Sequence, residues 1–185
     1  MLNQQFQEFV ERWLQKAEAH NGAHLYCAFD KFYTLFVIYN KLYVEAFNSL
    51  PRKPNTRFRD SDASSRSVVK FVGGDNLWNA LVADEDAKEA IQSLESVLAE
   101  GFFHISLDAA TGEHKPENDR ALLTQLRSIN LAQKAMGLLQ TLYHIRCNLF
   151  HGRKQFVDEQ RAIIDPSNII LRKIVDVLYQ KLVAA

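Results

Sequence analysis

Cysteine is scarce. There are two in 185 residues, Cys27 and Cys147, and neither belongs to a C-x-x-C pair or another disulfide-framework spacing. Both sit in apolar, helix-like stretches, which predicts buried, reduced thiols. Glycine and proline are also few, seven and four, and that excludes collagen-like, low-complexity and wholesale disordered chains. An excess of charge is missing too: 22 basic residues cancel 22 acidic ones. No global field therefore draws the chain to nucleic acid, membrane or polyanion, and any such binding must come from a local patch. No apolar run approaches the roughly 20 residues of a membrane span; the longest aromatic-rich run is Phe32 to Tyr39. The opening stretch MLNQQFQEFVERW has acids and glutamines where a signal peptide needs an apolar centre. The expectation is a cytoplasmic protein that does not enter the membrane.

Of the residues present, 47% are hydrophobic, enough for one domain over 1–185 to hold a core without disulfide or metal. They recur at helical spacing. Phe6, Phe9, Val10, Trp13, Leu14 and Ala17 form one stripe over 2–19, ended by Asn21-Gly22. Over 24–48, Phe29, Phe32, Phe36, Tyr39, Tyr43 and Phe47 step by three or four, and Leu35, Ile38, Leu42 and Ala46 add a second stripe, as in a central helix. Pro51 and Pro54 stop it, and 51–65 reads as a loop. Acids open a helix over 84–100, where they complement its dipole. Phe103, Ile105 and Leu107 alternate as in a short strand before a turn at Thr111-Gly112. A long pattern then runs from about 118 to Gly152 through Leu122, Leu126, Ile129 and Met136, with Gly137 marking a close helix contact. A last helix is expected to start at Asp165-Pro166, as N-cap and first helical residue. The prediction is an all-α bundle of five or six helices.

Chemistry concentrates in YHIRCNLFHGRK, residues 143–154. Residues at i, i+4 and i+7 share a helix face, which aligns His144, Asn148 and His151. Arg146 and His151, five apart, converge only if the helix ends at His151 or a second chain supplies one of them. Imidazole titrates near neutrality and moves protons, and guanidinium presents a permanent bidentate fork to phosphate. Cleavage of RNA by its own 2′-hydroxyl needs little more than a base, an acid and charge stabilisation of the phosphorane. The plainer reading is that His151 caps the helix and Arg146 pairs with an acid. Arg153 and Lys154 are placed to hold a substrate backbone. Asn40 shares a face with Phe36, Tyr43 and Phe47; its amide needs a partner, in the Arg146 neighbourhood or in a plain interhelical bond. Phe58, between Arg57 and Arg59, offers a base-stacking ring in an otherwise solvated basic loop over 52–59. His144, Cys147 and His151 have ligand spacing for zinc, but His104 and His114 stand alone and no second compact pair exists, so no metal is expected. Gly73-Gly74 lacks the flanking strand and lysine of a phosphate loop and reads as a turn, so no cofactor is expected either.

Arg146-Cys-Asn-Leu-Phe-His151, followed by Gly152, resembles the R-x-x-x-x-H signature of the HEPN superfamily, and IRCNLFHGRK looks like its prokaryotic, Apea-like form. The aromatic helix FDKFYTLFVIYNKLY resembles the helix packed beside the signature in such proteins. The resemblance implies an all-α bundle that dimerises with the two signatures facing. It implies a metal-independent endoribonuclease of a toxin–antitoxin, phage-defence or RNA-processing system, or else a silent module binding a nucleotide, RNA or a protein. An antitoxin or a nucleotidyltransferase would be the natural partner. Arg146 would stabilise the scissile phosphate, His151 would act as general acid or base, and Asn148 would position one of them. The polar residue usual directly after the arginine is here Cys147, with Asn148 one position later. One signature per chain makes a homodimer the natural completion of the site.

Overall fold

The aromatic stripe of the second helix organises the molecule. In the computed structural model, which describes residues 4–51, 57–108, 110–150 and 156–185, α2 (Leu25–Ser49) buries Phe32, Leu35, Ile38, Tyr39, Leu42 and Tyr43 completely. Burying each such side chain contributes about 1.5–3 kcal/mol, so α2 is the element around which the others gather. α1 (Gln4–Glu18) lays Phe6, Val10 and Ala17 on it, and α9 (Arg161–Val183) packs along its other side. Asn168 of α9 ties the pair by donating to the Ala28 carbonyl at 2.8 Å.

After α2, residues 60–72 form one continuous helical run: α3 (Asp60–Asp62), a π turn (Ala63–Ser67) and α4 (Val68–Val72). Gly73, at φ 90°, bends the chain into α5 (Gly74–Val82). α6 (Glu85–Glu100) starts at Asp84, whose carboxylate accepts from the Ala87 amide at 3.0 Å, and ends at Gly101 in the left-handed conformation. α7 (Pro116–Leu126) and α8 (Leu131–Phe150) complete the bundle, α8 packing against α7 and α5. Counting 60–72 as one helix gives eight among the described residues, an all-α bundle with no strand, not five or six. No helix among them is long and apolar enough to cross a membrane.

The structure corrects several expectations. The helix expected from 118 to 152 is two, because Asn130 caps α8 by accepting from the Gln133 amide at 3.0 Å. Ile129, placed in the buried stripe by its spacing, is fully exposed in the turn between them. The last helix starts at Arg161, not Asp165, with Pro166 inside it. Interior proline costs about 3 kcal/mol, but the added turn buries Ile163 and Ile164, each worth about 1.5–3 kcal/mol. The loop expected over 51–65 is helical from Asp60. The strand at Phe103–Leu107 reduces to one bridge, Leu107 to His114, because Asp119 takes the Ile105 and Ser106 amides at 3.1 and 2.7 Å.

Two glycine readings hold. A Cβ on Gly137 would lie 2.7 Å from the Gln125 Cβ, so α7 and α8 meet there backbone to backbone. The chain turns at Gly73 and enters α5 at Gly74, where an added Cβ would stand 2.5 Å from the Ala132 Cα.

Candidate functional site

The last two turns of α8 divide their side chains among three surroundings. Leu142, Ile145 and Leu149 enter the core. His144 and Asn148 face the 103–122 segment: the Asn148 amide, 4% exposed, donates to the Ile105 carbonyl at 2.7 Å. Arg146 lies about 200° around the helix from Asn148 and faces α2 and the start of the 60–72 run. Its guanidinium carbon sits 4.6 Å from the Phe150 ring centre, 5.7 Å from Phe36 and 5.9 Å from Tyr143. Cation–π contacts of this kind strengthen as water is excluded, and the side chain is only 20% exposed.

Charge around Arg146 is under-compensated. Its Nη1 lies 3.7 Å from Asp60 Oδ2, too far for a hydrogen bond, and 3.9 Å from the Cys147 sulfur. Its Nε is buried with no partner among the described residues. Asp60 is meanwhile occupied by two tyrosines: Tyr43 donates to Oδ1 at 2.5 Å and Tyr143 to Oδ2 at 3.2 Å. Burial first, and the Asp60 carboxylate second, push the Tyr43 phenol far above its ordinary range. Burial does the same at Tyr143. Both hydroxyls therefore remain protonated donors that hold Asp60 in place. The π turn follows directly; Tyr39, wholly buried, donates to the Ser64 carbonyl inside it. π turns often mark functional positions, and here the turn begins three residues after Asp60.

The spacing argument is right that His144 and Asn148 share a face; that Arg146 is a half-buried cation among aromatics is a finding of the structure. The positioning role that the resemblance implies for Asn148 is not made on Arg146, since its amide is engaged with Ile105 on the side of α8 away from that arginine. Asn40 is half-buried, and its amide makes no hydrogen bond to a described residue, Arg146 included. His144 is half-buried, and desolvation holds its imidazole below the usual histidine range against a smaller opposing pull from Asp119. Both cysteines are free, Cys27 buried and Cys147 half-buried. His151, Arg153 and Lys154 lie outside the described residues, as do residues 52–56 of the basic loop. Phe58, half-exposed, sets its ring edge-on to Phe47 at 5.2 Å. Among the described residues no group of three or more His, Cys, Asp or Glu side chains is arranged to hold a metal ion.

Sequence spacing does not bring Asp60 and the two tyrosines together. By spacing Tyr43 belongs to the aromatic stripe of 24–48 and Tyr143 to the motif over 143–154, while Asp60 reads as one acid of the 51–65 loop. The available signal was general: a buried tyrosine needs an acceptor for its hydroxyl. No family model matches the chain, and neither a curated protein nor a solved structure matches it.

Proposed function

We propose that the chain is a metal-independent endoribonuclease of HEPN type, working in the cytoplasm as a homodimer in a toxin–antitoxin or phage-defence setting. The observation that carries this reading is Arg146: a guanidinium fixed by three rings, with its nearest carboxylate 3.7 Å away and its Nε unpaired among the described residues. A cation held rigid but incompletely paired is suited to a phosphate, whose oxygens form shorter, charge-assisted bonds. His151, the residue after the last described turn of α8, supplies proton transfer. The 2′-oxygen of a ribose forms its bond to phosphorus as a base takes the hydroxyl proton. The bond from phosphorus to the 5′-oxygen breaks as an acid protonates the leaving oxygen. The products are a 2′,3′-cyclic phosphate and a 5′-hydroxyl. Arg146 stabilises the added negative charge of the phosphorane. One histidine per signature accounts for one proton transfer, and a second copy of the chain supplies the other.

Asp60 favours a second reading, a silent module of the same fold that binds nucleotide, RNA or a protein partner, since a carboxylate beside the arginine competes with phosphate. One experiment separates them. Purified protein is incubated with mixed cellular RNA in excess EDTA, alongside Arg146→Ala and His151→Ala. Cleavage with cyclic phosphate ends, lowered at least about 10²-fold in His151→Ala, is the expected result. RNA binding without cleavage in the parent protein overturns the ribonuclease and leaves the silent module.

A further inference from the structure

Beside Arg146, on the other side of Tyr143, residues 61–65, α7 and α8 enclose a cleft of about 440 Å³. It continues into a second of about 670 Å³ through shared Gln125 and Gln140 walls. Both volumes fall in the range of small-ligand sites. Among the polar side chains that line this surface are Asn118, Gln125, Gln140 and His144. None of these four hydrogen-bonds a described residue, and the Gln125 Oε1 is buried without a partner. Half-buried amides in folded proteins are ordinarily engaged. Two unengaged half-buried amides, Gln125 and Gln140, beside the half-buried His144 ring and the exposed Asn118 amide match a ligand with donors and acceptors in one plane.

The chemistry at each end narrows the ligand. Amides offer a donor and an acceptor each, and so does a neutral imidazole; desolvation keeps His144 toward that neutral form. This end suits the edge of a nucleobase and not a free anion. At the far end stand Arg66 and Arg127. Their partners are Asp62 at 3.8 Å and Glu95 at 2.7 Å. Exposed pairs of this kind are weak, and a bidentate phosphate competes well with them. Tyr143 forms the wall on the Arg146 side. Its ring centre is 5.9 Å from the arginine's guanidinium carbon and its hydroxyl rests on Asp60.

We propose that this cleft is a nucleotide subsite: the base next to the cleaved phosphate enters against Tyr143, read by Asn118, Gln125, Gln140 and His144, while Arg66 and Arg127 hold the phosphate beyond it. The assignment rests on the ribonuclease reading, and it makes the enzyme selective for the base at one position beside the cut. The test sequences the ends produced from random-sequence RNA by the parent protein, Asn118→Ala and Gln140→Ala, with circular dichroism melting as a check on folding. Asn118 is exposed, so its truncation leaves the fold intact. The parent is expected to prefer one base at a single flanking position, and each variant to weaken that preference about tenfold, the worth of one hydrogen bond. No preference in the parent, or one unchanged in both variants, overturns the subsite. A second arm is independent of cleavage: 5′-AMP, 5′-GMP, 5′-CMP and 5′-UMP are titrated singly into the parent protein and the His144 ring signals followed by NMR. One of the four is expected to shift them, and Gln140→Ala to abolish the shift. If the parent cleaves no RNA, the ribonuclease reading fails and this titration alone decides the cleft. Silence at His144 with all four then overturns it.

Discussion

Asp60→Ala removes the carboxylate that three side chains converge on, and its cost follows from what each loses. Tyr43 has no exposed surface, so its hydroxyl, now 2.5 Å from Asp60, is left buried without an acceptor, at about 1–3 kcal/mol. Tyr143 is half-buried with a longer bond of 3.2 Å, and water replaces the carboxylate there for a few tenths of a kcal/mol. The ion pair with Arg146 is long and Asp60 is 36% exposed; such pairs contribute about 0–1 kcal/mol. The hydroxyl dominates, and the whole comes to about 3 kcal/mol, a large part of the 5–15 kcal/mol typical of a domain. Asp60→Asn keeps an acceptor for Tyr43 and loses about 1 kcal/mol.

Equilibrium urea unfolding measures these values, with the slope in urea unchanged if the variants stay two-state. A double-mutant cycle makes the reasoning refutable. Tyr43→Phe removes the orphaned hydroxyl, so adding it to Asp60→Ala should recover about 1–2 kcal/mol of what Asp60→Ala lost relative to strict additivity. If the two changes add, or if Asp60→Ala costs less than about 1 kcal/mol, the carboxylate does not hold the tyrosines and the account of Arg146's surroundings fails with it.

How far the sequence discloses this molecule differs from element to element. α2 and α6 are legible because each is set by local chemistry: an uninterrupted aromatic stripe in one, and acids in the first turn with Asp84 as cap in the other. The break between α7 and α8 is hidden in the sequence because Ile129 fits the stripe's spacing. The opposing signal was there in Asn130 and Gln133, a capping pair three residues apart. Pro166 misled for the converse reason: its local preference to start a helix is outweighed by burial of Ile163 and Ile164, which depends on what α2 presents. In the site, Arg146 is visible because the residue and its neighbours form a contiguous motif. Asp60 is not, since it meets Tyr143 across 83 positions of chain, and only the packing of the 60–72 run on α2 and α8 brings them together.

Two further outcomes follow from single side chains. His144 has its folded-state pKa held down by burial, so below the unfolded value near 6.5 the unfolded chain binds a proton that the folded one refuses. Its contribution to stability is therefore lost as pH falls through about 6.5, and the urea midpoint of His144→Gln should decline less than the parent's between pH 7 and 5; equal declines refute the burial argument. Gly137→Ala sets two effects against each other. Alanine improves helix propensity by about 1 kcal/mol, but its Cβ would stand 2.7 Å from the Gln125 Cβ and 3.3 Å from the Leu126 nitrogen. Neither is the end of a flexible side chain, so α7 must shift as a body, and such overpacking costs about 1–3 kcal/mol. The clash should win, lowering stability by about 1 kcal/mol in urea unfolding. A Gly137→Ala protein more stable than its parent would mean that α7 and α8 do not approach this closely, and the cleft walled by Gln125 and Gln140 would have to be redrawn.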